Sequence, residues 1–217
     1  MADIDINLIK QLREMTGSGM VDVRKALEAT DGDLDKAVNW LREKGMAGAS
    51  KRASKVAAEG IVDSYIHGDR VGVLVEVNIE TDFAAQNEKF KELVHEISMQ
   101  IAAMNPKWVR REEVPEEVLE NERGVARTQA LNEGKPEKII DRIIEGRLEK
   151  FYEANVLEDQ PYIKDDSKTI SDLVKETIAV IGENIRIRRF ARFEVGEGIE
   201  KKEEDFQQEV MDQLNRK

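Results

Sequence analysis

The run RVGVLVEVNIE, Arg70 to Glu80, restricts most tightly what this chain can become. Val71, Val73, Val75 and Val77 recur at every second position, so an extended backbone puts all four on one face. β-Branched residues at that period suit a strand with a buried side. GIVDSYIH before it reads as a second strand, and His67-Gly68-Asp69 between the two has hairpin turn chemistry. Alternation in that first strand sets Ile61, Asp63, Tyr65 and His67 against Val62, Ser64 and Ile66, and neither face is cleanly apolar. After the hairpin come Thr81, Asp82 and Phe83, then EKFKELVHEISMQIA, with Phe90, Leu93, Val94, Ile97 and Ile101 at helical spacing. A carboxylate and a large aromatic therefore share a strand-to-helix corner, where folds often mount working residues. The corner has two readings. Asp82 caps the helix and Phe83 staples into the core, or the pair is presented for use.

The rest of the chain divides around this hairpin. Residues 1–45 read as a three-helix N-terminal module. Leu8, Ile9, Leu12 and Met15 form a first stripe, which Thr16-Gly17-Ser18-Gly19 breaks; Val23, Ala26 and Leu27 form a second. Asp33 caps a third helix carrying Leu34, Ala37, Val38 and Leu41, which Gly45 is expected to end. The module resembles the ubiquitin-associated type of bundle. Residues 46–59, rich in Ala, are expected as a linker helix. Residues 60–196 form an α+β core with an antiparallel sheet. Within it, two charged helical stretches at about 115–154, split by Gly134-Lys135-Pro136, make a helical hairpin with a seam of Ile139, Ile143 or Ile144, Leu148 and Phe151. Gln160 to Ile163 is a short strand, Ser167 and Thr169 offer caps for ISDLVKETIAVIG, and NIRIRRFARFEVGEG is a strand with Ile185, Ile187, Arg189, Ala191 and Phe193 on one face. Residues 197–217 form a short C-terminal helical module, with Phe206, Val210 and Leu214 in line.

Composition narrows the function. Lys and Arg number 34 against 45 Asp and Glu, a net charge of -11, which argues against nucleic acid as a direct partner. Cysteine is absent, which excludes disulfides and thiolate metal sites. No run approaches the ~18 apolar residues of a membrane span, and a cytoplasmic protein without a membrane contact is expected. His67 at a turn tip and His95 on a polar helix side read as surface residues, and the carboxylates show no spacing that pairs them for acid–base work. Gly17-Ser18-Gly19 lacks the ending of a phosphate-binding loop. Met20 and Val21 beside it are either a docking knob or core filler.

LREMTGSGMVDVRKALEATDGDLDKAVNWLREKG, ETDFAAQN, NEGKPEKIIDRIIEGRLEKFYEANVLEDQPYIKDD and IGENIRIRRFARFEVGEGIEK follow one another along essentially the whole chain. Together these segments resemble the bacterial elongation factor Ts family, in its short single-core form. The resemblance implies a guanine-nucleotide exchange factor that binds elongation factor Tu, disturbs its magnesium and phosphate site and releases GDP. No bond is made or broken, and no cofactor is implied. It places Thr81, Asp82, Phe83 and Ala84 at the partner's magnesium site, with Arg13, Met20, Val21 and Arg24 gripping a partner helix and Phe206 and Val210 adding a C-terminal contact. Ala84 stands where the family commonly has Val, and Gln86 where it commonly has Lys or Arg. Longer members of that family carry two core subdomains, so a homodimer is an expectation for this short form. Two rivals stand beside this reading: an adaptor working through the N-terminal bundle alone, and a small enzyme whose structure would show a pocket with perturbed acids.

Overall fold

The computed structural model describes residues 4–199. It is a mixed α and β chain with small antiparallel sheets. Three helices come first: α1 (Ile6–Thr16), α2 (Met20–Ala29) and α3 (Leu34–Arg52). Leu12, Val23, Ala26, Leu27, Ala37 and Leu41 form their shared core, with Leu8 and Ile9 packed against it. Asp5 and Asp33 cap α1 and α3 by accepting the backbone N–H groups of Asn7 and Lys36. Met15 lies outside that core and is largely exposed.

Gly45 does not end α3. The helix continues to Arg52, so residues 46–59 are not a separate linker helix: their first half extends α3 and their end begins a strand. Ala49, beyond Gly45, is buried in the main core. Gly45 faces Ala179, where a Cβ would stand 2.7 Å from the Ala179 side chain. Close approach of two helices, rather than helix termination, is what the glycine serves.

Strands β1 (Glu59–His67), β2 (Val71–Ile79) and β5 (Ile185–Glu194) form an antiparallel sheet in the order β1-β2-β5. The inward valines of β2 meet Phe90, Leu93, Val94, Ile97 and Ile101 of α5 (Glu88–Met104), together with Ile170, Val174 and Ile178 of α8 (Ile170–Ile181). Thr169 and Asp172 close a reciprocal capping box at the start of α8. Ahead of it, β3 (Pro161–Tyr162) pairs with β4 (Asp165–Thr169), so Ser167 lies in a strand and not at a cap.

The expected face of β5 holds for only half the strand. Ile185 and Ile187 are buried, but Phe193 is 71% exposed while Phe190 and Arg192 turn inward. Val77 pairs with Ile187 and Glu76 with Arg189, leaving Arg188 as an extra residue. One inserted residue reverses which side every later side chain faces.

Helices α6 (Glu116–Asn132) and α7 (Glu137–Asn155) pack as an antiparallel pair. Their seam is Ala126 and Ala130 against Ile140 and Ile144, with Ile143 and Leu148 alongside. Ile139, expected in the seam, is 43% exposed. At the open end of the pair Phe151 joins Trp108, Val114, Leu119 and Val156. Arg111 ties this end together, donating to Glu149 and Asp159 and lying 4.4 Å from the centre of the Tyr152 ring. Among the described residues, no helix is long and apolar enough to cross a membrane.

Candidate functional site: an exposed aromatic on a latched corner

β2 runs straight into the corner. After Ile79 the chain passes Glu80 and Thr81 into a single helical turn, α4 (Asp82–Ala85). Thr81, not Asp82, is its cap: the Thr81 hydroxyl accepts the Ala84 N–H at 3.2 Å. The Asp82 carboxylate accepts the Phe83 N–H at 2.8 Å, and the Thr81 carbonyl accepts that of Ala85. The N–H groups of Phe83, Ala84 and Ala85 are thus all bound within the turn, as a buried or half-buried backbone requires.

The side chains divide sharply. Ala84 and Ala85 are buried in the main core, whereas Phe83 is 87% exposed. Phe83 is therefore not a staple. Ala84, expected beside it at a partner-facing surface, points inward. A methyl group there seats the turn on the core and leaves the ring outside. An aromatic exposed to this degree on an ordered turn is unfavourable for the free chain by the hydrophobic effect.

Two residues from the far side of the fold hold the corner. Glu183 accepts the Thr81 N–H at 3.0 Å and the Thr81 hydroxyl at 2.9 Å. Next to it, the Asn184 N–H donates to Glu80 at 2.6 Å, and the Asn184 side-chain amide donates to the Lys55 carbonyl at 2.7 Å. Lys55 closes the ring with an ion pair to Glu80 at 3.2 Å. The Asn184 N–H is the main reason the Glu80 carboxyl sits below its ordinary pKa; desolvation opposes it, and Lys55 and Arg52 add to the lowering. Glu183 and Asn184 were missed in the sequence. They lie about a hundred positions from the corner, with no motif or local spacing linking the two segments.

On the three-helix bundle, Met20 and Val21 are 61% and 66% exposed, so they are not core filler. Arg13 and Arg24 are exposed as well, and Arg24 pairs with Glu28 at 2.9 Å. These four residues sit on α1 and α2, apart in the chain from the corner. A physical route joins them: α3 belongs to the bundle, packs along α8, and α8 ends at Gly182 just before Glu183. Phe206 and Val210 lie outside the described residues.

Both histidines meet at Tyr65. The Tyr65 hydroxyl and His67 Nδ1 are 3.0 Å apart, His95 stands edge-on to the Tyr65 ring, and Asp63 is 3.6 Å from His95. Both rings are exposed. Among the described residues no group of three His, Asp or Glu side chains is placed to hold a metal ion.

One cleft of about 360 Å³ contains a perturbed acid. Burial pushes the Glu158 carboxyl up, while Arg110 at 3.1 Å opposes that rise. Glu158 is the one carboxylate among the cleft's described lining residues, which also include Ser171, Lys175 and Asn184. Acid–base work on a bound substrate calls for two groups with divergent environments. Glu158 is instead engaged by Arg110 in an ion pair.

A family model described as Elongation factor TS matches residues 21–197. Elongation factor Ts of Acetivibrio thermocellus is 57% identical over 213 residues, covering 98% of this chain and 99% of that protein. Elongation factor Ts of Desulfitobacterium hafniense is 54% identical over 217 residues, all of both chains. That of Thermoanaerobacter pseudethanolicus is 60% identical over 198 residues, covering 91% of this chain and 97% of the other. With matches of this length and identity, the chain belongs to the elongation factor Ts family.

Proposed function

We propose that this chain is a translation elongation factor that binds elongation factor Tu carrying GDP and promotes GDP release, so that GTP can replace it. The observation that carries the mechanism is the Phe83 ring, 87% exposed on a turn whose backbone is already satisfied. Such a ring is a preorganised wedge: its own chain gains nothing from it, and a partner cleft gains its burial. Asp82 travels with it as a polar companion whose carboxylate also steadies the turn. Thr81 holds the corner, and Ala84 anchors it from behind. Arg13, Met20, Val21 and Arg24 form the second grip, on a helix of the partner. The N-terminal bundle is ubiquitin-associated-like, the α6–α7 pair projects from the core as a further contact arm, and the work is done in the cytoplasm.

Energetics fit an exchange factor that makes and breaks no covalent bond. Factor and nucleotide oppose each other's binding, and that coupling is reciprocal. A thousandfold faster release corresponds to a barrier lower by roughly 4 kcal/mol. Burying one Phe contributes about 1.5–3 kcal/mol, so the wedge supplies a large share if its burial requires the opened nucleotide site. Phe83→Ala should then slow GDP release from a bacterial elongation factor Tu by about tenfold to a hundredfold at saturating factor. Stopped-flow release of a fluorescent GDP reads this directly, and a wild-type rate would sink the wedge.

We also infer that a second copy of this chain covers the open face of the sheet. Val62, Ile66, Leu74 and Phe193 are each more than half exposed there. In register, Ile66 lies opposite Gly72 and Gly72 opposite Phe193, so the patch runs unbroken across the three strands.

A further inference from the structure

We infer that Glu183 is a positioning residue for nucleotide release, acting only through the corner that carries Phe83. The inference rests on the exchange reading above. Among the described residues, the Glu183 side chain hydrogen-bonds to Thr81, and its two oxygens take both the N–H and the hydroxyl of that residue. Thr81 in turn caps the turn bearing Phe83 through the Ala84 N–H. One carboxylate therefore fixes the cap, and the cap fixes the wedge.

Placement makes this more than ordinary packing. Glu183 is half-buried and follows Gly182, whose positive φ of 84° closes α8. That left-handed residue turns the chain so that Glu183 and Asn184 reach Thr81 and Glu80 in succession. Asn184, Glu80 and Lys55 form a closed ring of side-chain bonds that ties the end of β2 to the segments after α3 and α8, and none of these bonds reaches α4. The bonds from Glu183 go to the cap of a four-residue turn with an exposed product. A turn that short has little cooperativity of its own, so an external clamp sets how narrowly the Phe83 backbone is held.

A wedge loses effectiveness when it must be ordered at the moment it works. Releasing the clamp should leave the grip of the N-terminal bundle intact and lower the release rate in the bound complex. The expected drop is about two- to tenfold, the range for ordering one further mobile group on binding. The half-saturating concentration should change little.

The test is a double-mutant cycle on the full chain, read as GDP release from a bacterial elongation factor Tu at saturation and at half-saturation. Glu183→Ala and Phe83→Ala are measured singly and together. Expected are a slower saturating rate for Glu183→Ala alone and no further loss when it is added to Phe83→Ala, because the clamp then has nothing to position. A wild-type rate for Glu183→Ala beside a slow Phe83→Ala overturns the positioning role and leaves the wedge standing. An equal loss in both backgrounds also overturns it, since Glu183 would be acting elsewhere. A wild-type rate for Phe83→Ala overturns the wedge and the clamp together. Thermal unfolding checks the fold of each variant. If Glu183→Ala does not fold, Glu183→Gln takes its place in the cycle. It keeps the volume and one acceptor, and an intermediate rate is expected of it.

Discussion

At the scale of single residues, two glycines of α3 make opposite demands. Gly45 lies against α8, where an added Cβ would come within 2.7 Å of the Ala179 methyl; Gly48, nearly one turn on, has open space around its missing side chain. An Ala methyl cannot rotate away as a long side chain could, so Gly45→Ala must push the helices apart. Overpacking of that kind costs about 1–3 kcal/mol, against a helix-propensity gain of about 1 kcal/mol. Gly45→Ala should therefore be neutral to destabilising by up to about 2 kcal/mol. Gly48→Ala meets no such obstacle and should stabilise by up to about 1 kcal/mol. Thermal melts of the two variants side by side check the sign. A stabilised Gly45→Ala would mean that α3 and α8 do not approach this closely. The distinction could not be read from the chain, because a glycine at the end of an apolar stripe looks like a stop until its neighbour, about 130 positions away, is known.

Among the elements, the strands and helices with strong periodicity were legible and their phases were less so. The valines of β2 and the stripe of α5 declared themselves, since alternation and helical spacing are local properties. β5 defeated the same reasoning at Arg188, because a bulge belongs to a pair of strands and leaves no mark in one of them. The corner behaved similarly. Its place between β2 and α5 was legible, whereas local spacing left open whether Phe83 turned into the core or out of it. The choice of Thr81 over Asp82 as cap depended on geometry, and the clamp from Glu183 depended on tertiary contact. In the helical hairpin, the seam was expected to run through Ile139, with Ile143 or Ile144 left open; the structure seats the neighbouring Ile140, 3% exposed, in place of Ile139, 43% exposed. Ile140→Ala should cost the hairpin about 2–5 kcal/mol, and Ile139→Ala less than about 1 kcal/mol. Since α6 and α7 have their own small core, the loss should appear as faster hydrogen exchange of their amides before it appears in the rest of the chain. Equal effects of the two substitutions would mean that the pair is packed in another register.

At the scale of the whole molecule, net charge and the open sheet face pull in opposite directions. Each chain carries -11, so two copies repel one another through water. Val62, Ile66, Leu74 and Phe193 offer a contiguous apolar surface that a second identical sheet can cover about a two-fold axis, each patch meeting its own copy. Glu76, on the same side of β2, is engaged by Arg188 and Arg189, so the one carboxylate of β2 on this face is already paired within the chain. What remains between copies is apolar attraction against long-range repulsion. Salt at about 0.15 M shortens the electrostatic range to roughly 8 Å while leaving apolar burial intact. Dimerisation through this face should therefore strengthen as salt rises from about 0.01 M, where the range is roughly 30 Å. An interface built on ion pairs would weaken over the same range. Sedimentation across salt and protein concentration distinguishes the two, and Leu74→Asp with Phe193→Asp should leave a folded monomer at every salt concentration. A monomeric parent chain, or a dimer indifferent to those two substitutions, would remove the sheet face as the meeting surface. The second outcome would direct attention to another exposed apolar patch, whereas a dimer closed through the sheet face would leave Phe83, in the turn after β2, outside the four residues of that contact.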